Sequence, residues 1–345
     1  MCGNGELSKC IKIKVKKFAL NSLLYISGYD TKIGANDVIV VKQQDGSIKA
    51  SPVQLYLKIT PEMRNTVSLS KSGSVSNIQV CEKKLIECMH IKSSHLEHDE
   101  VELSFDITSQ HLREINLDYG MNTCYFIIES LNVRIPFSIY VFNPDDKIII
   151  SDIDGTITKS DTWGFFGGAM GYKVHHEHVN SFLHNVHENG YKIVYLTARP
   201  ISYQSFTRNY LFEMITKSNQ RFSRSPRGPL RTSEKVLDGP PLPQGPVLCI
   251  PKDLAEVVLG DSSKAIEGKS STLQNVLALF EDPSTVVAGA YGNNNSDSEA
   301  YKNIGIPPNK TFMINKKSKI VNIMTKEETT YKLQSDDLNN IYPEY

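Results

Sequence analysis

The chain has 345 residues, 40% hydrophobic and 22% charged, and a formal net charge of zero. That length suits two domains with sizeable cores, and the charge balance excludes a global field that would recruit nucleic acid or a membrane, so such a partner must meet a local patch. The six cysteines form no C-x-x-C pair, which fits a reduced, intracellular chain, and no apolar run is long enough to span a bilayer.

The first residues, MCGNGELSKC, lack the apolar core of a signal peptide. Leu7, Cys10, Ile11, Val15 and Phe18 share a helical stripe with Lys9, Lys12, Lys16 and Lys17 beside it, the pattern of a helix lying on a membrane. Ile11, Ile13 and Val15 also alternate with lysines as a strand does. A helix over residues 1–10 followed by a strand accommodates both patterns.

Residues 11–142 read as β structure. The stretch DVIVVKQQDGSIKASPVQLYLKI (37–59) predicts two strands around Asp45-Gly46, a strong hairpin signal. SVSNIQV, DEVELSFDI, TCYFIIESL and VRIPFSIYVF continue the series and suggest a sandwich. Asn143-Pro144-Asp145-Asp146 is a turn and sets the expected boundary between domains 1–143 and 144–345.

From 147 the pattern changes. KIIIS is continuously apolar, as a parallel sheet requires. VNSFLHNVHENG has helical spacing and stops at Asn189-Gly190; YKIVYLTAR is another buried strand. STLQNVLALFED reads as a helix, STVVAGAYGN as a strand and turn, and SDSEAYKNIG as a helix closed by Gly305. Strand–helix alternation predicts a doubly wound α/β domain whose site lies at the carboxyl ends of its strands. Residues 221–246, with six prolines and four arginines, are expected to be irregular.

Four clusters sit at those strand ends. Asp152 and Asp154 point to one face of an extended chain, and Gly155 allows a sharp turn after them. Such a pair suits phosphoryl transfer: one carboxylate attacks phosphorus, the other protonates the leaving oxygen and then activates water. A calcium loop is disfavoured, because Thr156 and Ile157 hold positions where it needs a carboxylate or amide and a glycine. Thr197 ends a strand before Ala198, Arg199 and Pro200; its hydroxyl and the Arg199 fork suit phosphate oxygens. Asn293 and Asp297, in GNNNSD, offer hard oxygen ligands for Mg²⁺. Lys269, with Lys264 as alternative, is the lysine expected to balance phosphate charge.

In this order the clusters resemble the haloacid dehalogenase superfamily of phosphatases. SDIDGTITKSD, ENGYKIVYLTARP, LPQGPV and GNNNSDSEAYKNIGIP are similar to the catalytic region of the lipins, the Mg²⁺-dependent phosphatidate phosphatases. DVIVVKQQDGSIKASPVQLYLK and the final TTYKLQSDDLNNIYPEY resemble the two ends of lipins. The resemblance implies hydrolysis of phosphatidate to diacylglycerol and phosphate through an aspartyl-phosphate. It implies Asp152 as nucleophile, Asp154 as acid and base, and Thr197 and Lys269 on the phosphate, with Gly155, Thr156, Ala198 and Arg199 as substrate-binding positions. It implies Mg²⁺ held by Asp152, the Asp154 carbonyl, Asn293 and Asp297. It further implies an immunoglobulin-like sandwich in addition to the α/β domain. Lipins carry a long serine-rich middle region; here the two regions are nearly contiguous. Where coregulator lipins have L-x-x-I-L, this chain has DTWGFFGG.

Phosphatidate lies in a bilayer, so the enzyme must dock, peripherally, on endoplasmic reticulum or nuclear-envelope membrane. Candidate contacts are Leu7, Lys9, Cys10 and Ile11, the arginines at 221, 224, 227 and 231, and Trp163, Phe165 and Phe166. The histidines at 175, 176, 178, 184 and 187 are expected on a solvated helix face rather than on zinc. Two other readings are a phosphatase of soluble phosphate monoesters and a non-catalytic lipid-binding protein.

Overall fold

The computed structural model describes residues 33–58, 77–80, 84–86, 91–97, 100–115, 117–128, 133–159, 175–214, 239–250 and 262–345. They form a mixed α/β protein with several sheets. The chain divides into two compact units. The first comprises residues 1–144, 198–206 and 246–281; the second comprises 145–197, 207–245 and 282–345. The basic N-terminal segment, the arginine-rich loop and the Trp163 region lie outside the described residues.

The first unit opens with β1 (Ile33–Ala35), β2 (Val38–Lys42), β3 (Ile48–Ala50) and β4 (Val53–Lys58). It continues through β5 (Asn77–Val80), β6 (Lys84–Ile86), β7 (Ile91–Glu97) and β8 (Glu100–Phe105). Helix α1 (Ser109–Ile115) precedes β9 (Gly120–Ile128) and β10 (Val133–Phe142). One sheet has the order β1-β4-β8-β7, the other β3-β2-β10-β9-β5-β6. Ala35, Leu55 and Leu57 from the first sheet share a core with Val38, Val40, Phe126, Ile135 and Ile139 from the second. The two sheets therefore bury their inner faces against each other, which is what alternating strands require of a half-buried sheet.

The hairpin at Asp45-Gly46 is present: β2 and β3 pair antiparallel, and Asp45 accepts the Ser47 N–H at 2.8 Å. The expected single strand after it is two, and they belong to different sheets. Pro52 separates them, since a residue without an N–H cannot continue a ladder; β3 stays on β2 while β4 pairs with β1 and β8. The β region also contains α1, which starts where the Thr108 hydroxyl accepts the His111 N–H and whose Leu112 is buried.

The second unit begins with β11 (Ile148–Asp152), α2 (Val179–Glu188) and β12 (Lys192–Pro200). The chain then returns to the first unit with β13 (Val247–Ile250) and α3 (Ser262–Leu277). There Asp37, 1% exposed, accepts the N–H groups of Ser138 and Val247, each at 2.8 Å. Asn36 accepts from the Cys249 N–H at 2.8 Å and donates to the Cys249 carbonyl at 2.7 Å. These side chains take up backbone groups of β13 that would otherwise be buried unsatisfied.

The second unit is completed by β14 (Val287–Gly292), α4 (Asn295–Asn303), β15 (Thr311–Ile314), β16 (Ile320–Asn322), β17 (Glu328–Thr329) and α5 (Tyr331–Asp336). Its strands lie in the order β12-β11-β14-β15-β16-β17. The pairs from β12 to β15 are parallel, and β16 and β17 extend the sheet antiparallel. β11 is buried along its whole length, as its unbroken apolar run anticipates. Val179, Phe182, Leu183 and Val186 form the buried face of α2, at helical spacing. The helix stops at Asn189, and Gly190 follows with φ +103°, a left-handed conformation glycine adopts without a Cβ penalty. Phe182 meets Tyr331 at 5.3 Å and Tyr291 at 5.5 Å between ring centroids. Buried aromatic rings thus pack α2 and α5 onto β14.

Candidate active site

Register places the acidic cluster. Asp152 lies opposite Leu196 on β12, and Ser151 lies opposite Tyr291 on β14. Asp152, Thr197 and Gly292-Asn293 therefore leave the carboxyl ends of three adjacent parallel strands, the position where such sheets form sites. β12 runs on to Pro200 rather than ending at Thr197. Thr197 nevertheless stands one residue past the end of β11, because β11 is the shorter strand.

After Asp152 the chain closes a tight turn. The N–H groups of Ile157 and Thr158 both reach the Ile153 carbonyl at 3.0 Å, and the Gly155 N–H donates to Thr158 Oγ1 at 3.0 Å. Gly155 holds φ +89°, where a side chain would be strained. The turn brings Thr156 back over the strand end, so its hydroxyl donates to Asp152 Oδ2 at 3.0 Å. The Thr197 hydroxyl donates to Asp154 Oδ2 at 3.1 Å. Asp152 is 3% exposed, and Thr156 and Thr197 are fully buried.

The third strand end is built around Asp297. Its buried carboxylate accepts the N–H groups of Asn293 at 2.9 Å and Asn294 at 3.1 Å, completing a capping box with the Asn294 side chain. Gly292 makes this possible: a Cβ there would meet Asp297 Cβ at 2.4 Å. The Tyr301 phenol donates to the Tyr291 carbonyl at 2.8 Å. Its pKa is pushed up by burial, and further by the carboxylates of Asp297 and Asp152.

The second unit brings together Asp152, Asp154, Gly155, Thr156, Thr197, Asn293 and Asp297. Ala198 and Arg199 continue β12 within the first unit, and Lys269 lies buried on α3 of that unit, with Lys264 half-buried on the same helix. Leu7, Lys9, Cys10 and Ile11 fall outside the described residues. Among the described residues no group of three His, Cys, Asp or Glu side chains gathers as a metal site. The oxygen donors at the three strand ends are instead of mixed kind: carboxylate, backbone carbonyl and side-chain amide. That donor set fits a hard cation that keeps several waters.

The expected solvated helix face holds for part of the histidines: His178 is exposed, and His184 and His187 are half-buried on α2 outside its buried face. His175 and His176 precede α2 and are buried, and His178 starts the helix at φ +63°. His176 Nε2 faces the Gly155 carbonyl at 3.2 Å, and its Nδ1 lies 2.8 Å from Ser318 Oγ. Tyr331 donates to the Thr156 carbonyl at 3.0 Å. Sequence reasoning gives His176 and Tyr331 no role at the site and does not single out Ser318, because His176 and Tyr331 meet backbone carbonyls rather than a ligand. The signal it had was an adjacent histidine pair shortly after the acidic turn.

A parallel sheet with paired carboxylates on its central strand end, and a hydroxyl and an Asn–Asp turn on the flanking ends, defines an α/β protein with its candidate site at the carboxyl ends of its strands. The chain belongs to the LNS2 (Lipin/Ned1/Smp2) family, whose profile matches residues 103–240 and 233–343. It is 29% identical over 246 residues to phosphatidate phosphatase LPIN3 of Mus musculus, covering 70% of this chain and 26% of that protein. It is 31% identical over 243 residues to phosphatidate phosphatase LPIN1 of Homo sapiens, covering 69% and 25%. Phosphatidic acid phosphohydrolase 1 of Saccharomyces cerevisiae is 30% identical over 224 residues, covering 62% and 24%. The matches thus span about a quarter of the length of these relatives.

Proposed function

We propose that this protein is a Mg²⁺-dependent phosphatidate phosphatase that releases diacylglycerol and phosphate at a membrane surface. The observation that carries the reading is the carboxylate pair at the end of β11, each member fixed by a threonine hydroxyl. The relatives' names supply the substrate. The paired sheets of the first unit are read as an immunoglobulin-like sandwich and the second unit as a haloacid dehalogenase-like domain. The same reading divides the chain into domains at residues 143 and 144.

In this mechanism an Asp152 carboxylate oxygen attacks phosphorus, and the bond from phosphorus to the glycerol oxygen breaks. Asp154 gives that oxygen its proton. Thr197 donates to Oδ2 of Asp154, so the transferable proton belongs on Oδ1. Asp154, now a carboxylate, takes a proton from water as the water attacks phosphorus and the bond to Asp152 breaks. Mg²⁺, held by Asp152, the Asp154 carbonyl, Asn293 and Asp297, would offset the charge of two carboxylates and a phosphate. Lys269 is proposed to share in that neutralisation, with Thr156, Ala198 and Arg199 at the phosphate.

Among the described residues no helix is long and apolar enough to cross a membrane. Docking is assigned, from its amphipathic and basic sequence pattern, to the segment around Leu7, Lys9, Cys10 and Ile11, on endoplasmic reticulum or nuclear-envelope membrane. The test compares phosphate release from phosphatidate in vesicles with release from a water-soluble phosphate ester, each with and without Mg²⁺. Faster Mg²⁺-dependent turnover of phosphatidate supports the reading. Preference for the soluble ester would replace it with a phosphatase of soluble monoesters, and no turnover of either with a lipid-binding role.

A further inference from the structure

We infer that His176 and Tyr331 are positioning residues that hold the turn after Asp152 by its two backbone carbonyls. The carbonyl oxygens of Gly155 and Thr156 are consecutive acceptors on that turn. Each meets a buried side chain brought in from a distant stretch of sequence: Nε2 of His176 at 3.2 Å and the hydroxyl of Tyr331 at 3.0 Å. Both side chains are almost wholly buried, at 0% and 2% exposure. The two rings are neighbours, with centroids 6.4 Å apart.

The chemistry assigns the protons. A carbonyl only accepts, so Nε2 of His176 carries hydrogen and donates to Gly155. In the neutral imidazole Nδ1 then accepts, and Ser318 Oγ–H donates to it. Burial favours that neutral ring. Tyr331 remains a phenol because burial and the Asp152 carboxylate both oppose its ionisation. The clamp therefore reads outward from the carboxylate: Tyr331 fixes the Thr156 backbone, and the Thr156 hydroxyl fixes the Asp152 carboxylate. On the other side the chain runs from Ser318, on the turn between β15 and β16, through His176 to Gly155. Neither His176 nor Tyr331 is itself assigned to the expected substrate, so both act only through the turn they hold.

Tyr331→Phe keeps the ring and removes one hydroxyl; His176→Gln keeps an N–H donor for Gly155, whereas His176→Leu removes it. Amide hydrogen exchange of residues 153–158 is the primary readout and is independent of any activity. We expect roughly tenfold faster exchange there in Tyr331→Phe and His176→Leu, with β12 and β14 unchanged and His176→Gln close to wild type. The kinetic readout rests on the proposed function. With a water-soluble phosphate ester, kcat should fall roughly tenfold or more at nearly constant KM, as misplacement predicts. Unchanged exchange at 153–158 in both Tyr331→Phe and His176→Leu would overturn the proposal. So would faster exchange spread evenly over the second unit, which marks general loosening. A wild-type protein with no turnover would count against the proposed function alone, since the exchange result stands apart from it.

Discussion

The Thr197 hydroxyl donates to Asp154 Oδ2 at 3.1 Å, joining side chains that are 43 residues apart in sequence and that leave two neighbouring strands. This bond orients the carboxylate of Asp154, the residue proposed as acid and base. Replacing Thr197 by Ala removes a hydrogen bond to an ionisable group, about 1.5–3 kcal/mol, or roughly 10- to 100-fold in kcat. Thr197→Ser keeps the hydroxyl and should retain most activity. Steady-state kinetics on both variants checks this; equal losses in the two would point to packing of the Thr197 methyl instead.

Asp152→Asn and Asp154→Asn should both abolish phosphate release while leaving the fold intact. An amide at 152 is a poor nucleophile, and one at 154 neither gives nor takes the proton. The expected loss is at least roughly 10³-fold for each, and the double variant should be little worse than either single one, because the groups act as a unit. Circular dichroism together with phosphate release measures both halves of the expectation. A single variant keeping more than a tenth of wild-type turnover would remove that residue from its assigned role.

Much of the second unit was legible because its signals are local. A short unbroken run of β-branched residues reads as a strand buried on both faces, and Asp152 at its end follows from counting. Gly155, Asn189-Gly190 and the Asn–Asp turn announce themselves by backbone chemistry. The partition of β3 and β4 between two sheets was not legible, because a proline says that a ladder breaks but not where the next strand pairs. Nor was the role of Asn36 and Asp37, which take up backbone groups of residues more than two hundred positions away. His176 and Tyr331 were hidden for the same reason: their partners are carbonyls, which every residue has.

Gly292 and Asp297 form one device, and each should fail in its own way. Gly292→Ala forces a Cβ into Asp297, an overpacking expected to destabilise by about 1–3 kcal/mol. Asp297→Ala strips two N–H groups of their acceptor and removes the Asp297 half of the capping box of α4, destabilising by about 2 kcal/mol or more. Urea denaturation measures both. Asp297→Asn keeps an acceptor and should fall between wild type and Ala; if it matched Ala, the negative charge rather than the hydrogen bonds would be what the turn requires.

His176 sets an acid limit. Burial, opposed in part by its bond to Gly155, holds its pKa below the usual 6.5, and Lys159 and His175 push in the same direction as burial. A group whose folded pKa is depressed stabilises the fold fully above its unfolded value and loses that contribution as pH falls. Stability should therefore be level above pH 6.5 and decline below it as the ring takes up a proton. His176→Gln should flatten this part of the curve. Thermal melts of both proteins between pH 7 and pH 5 check it, and an identical decline in the variant would assign the acid limit to other groups.

The alkaline limit should come from the buried phenols. Burial raises the pKa of Tyr291, Tyr331 and Tyr342 above their usual 10, and Tyr345 is pushed up to about 12 by burial and by the nearby Asp146 carboxylate, while its bond from the Lys147 N–H acts the other way. These groups are raised in the folded state, so their contribution is complete below pH 10 and is lost as pH climbs past 10 towards 12 and beyond. Tyr345 is half-exposed, so its share is the smaller; the fully buried ring of Tyr342, bonded to the Tyr291 hydroxyl at 2.8 Å, carries more. Unfolding above pH 10 should release phenolate absorbance together with the loss of far-ultraviolet ellipticity, in one cooperative step. Tyr342→Phe removes one of the titrating groups and should make the fall of stability with pH shallower, even though it lowers stability at neutral pH through the lost hydrogen bond. A slope above pH 10 as steep in Tyr342→Phe as in wild type would show that this phenol is not among the groups that set the limit.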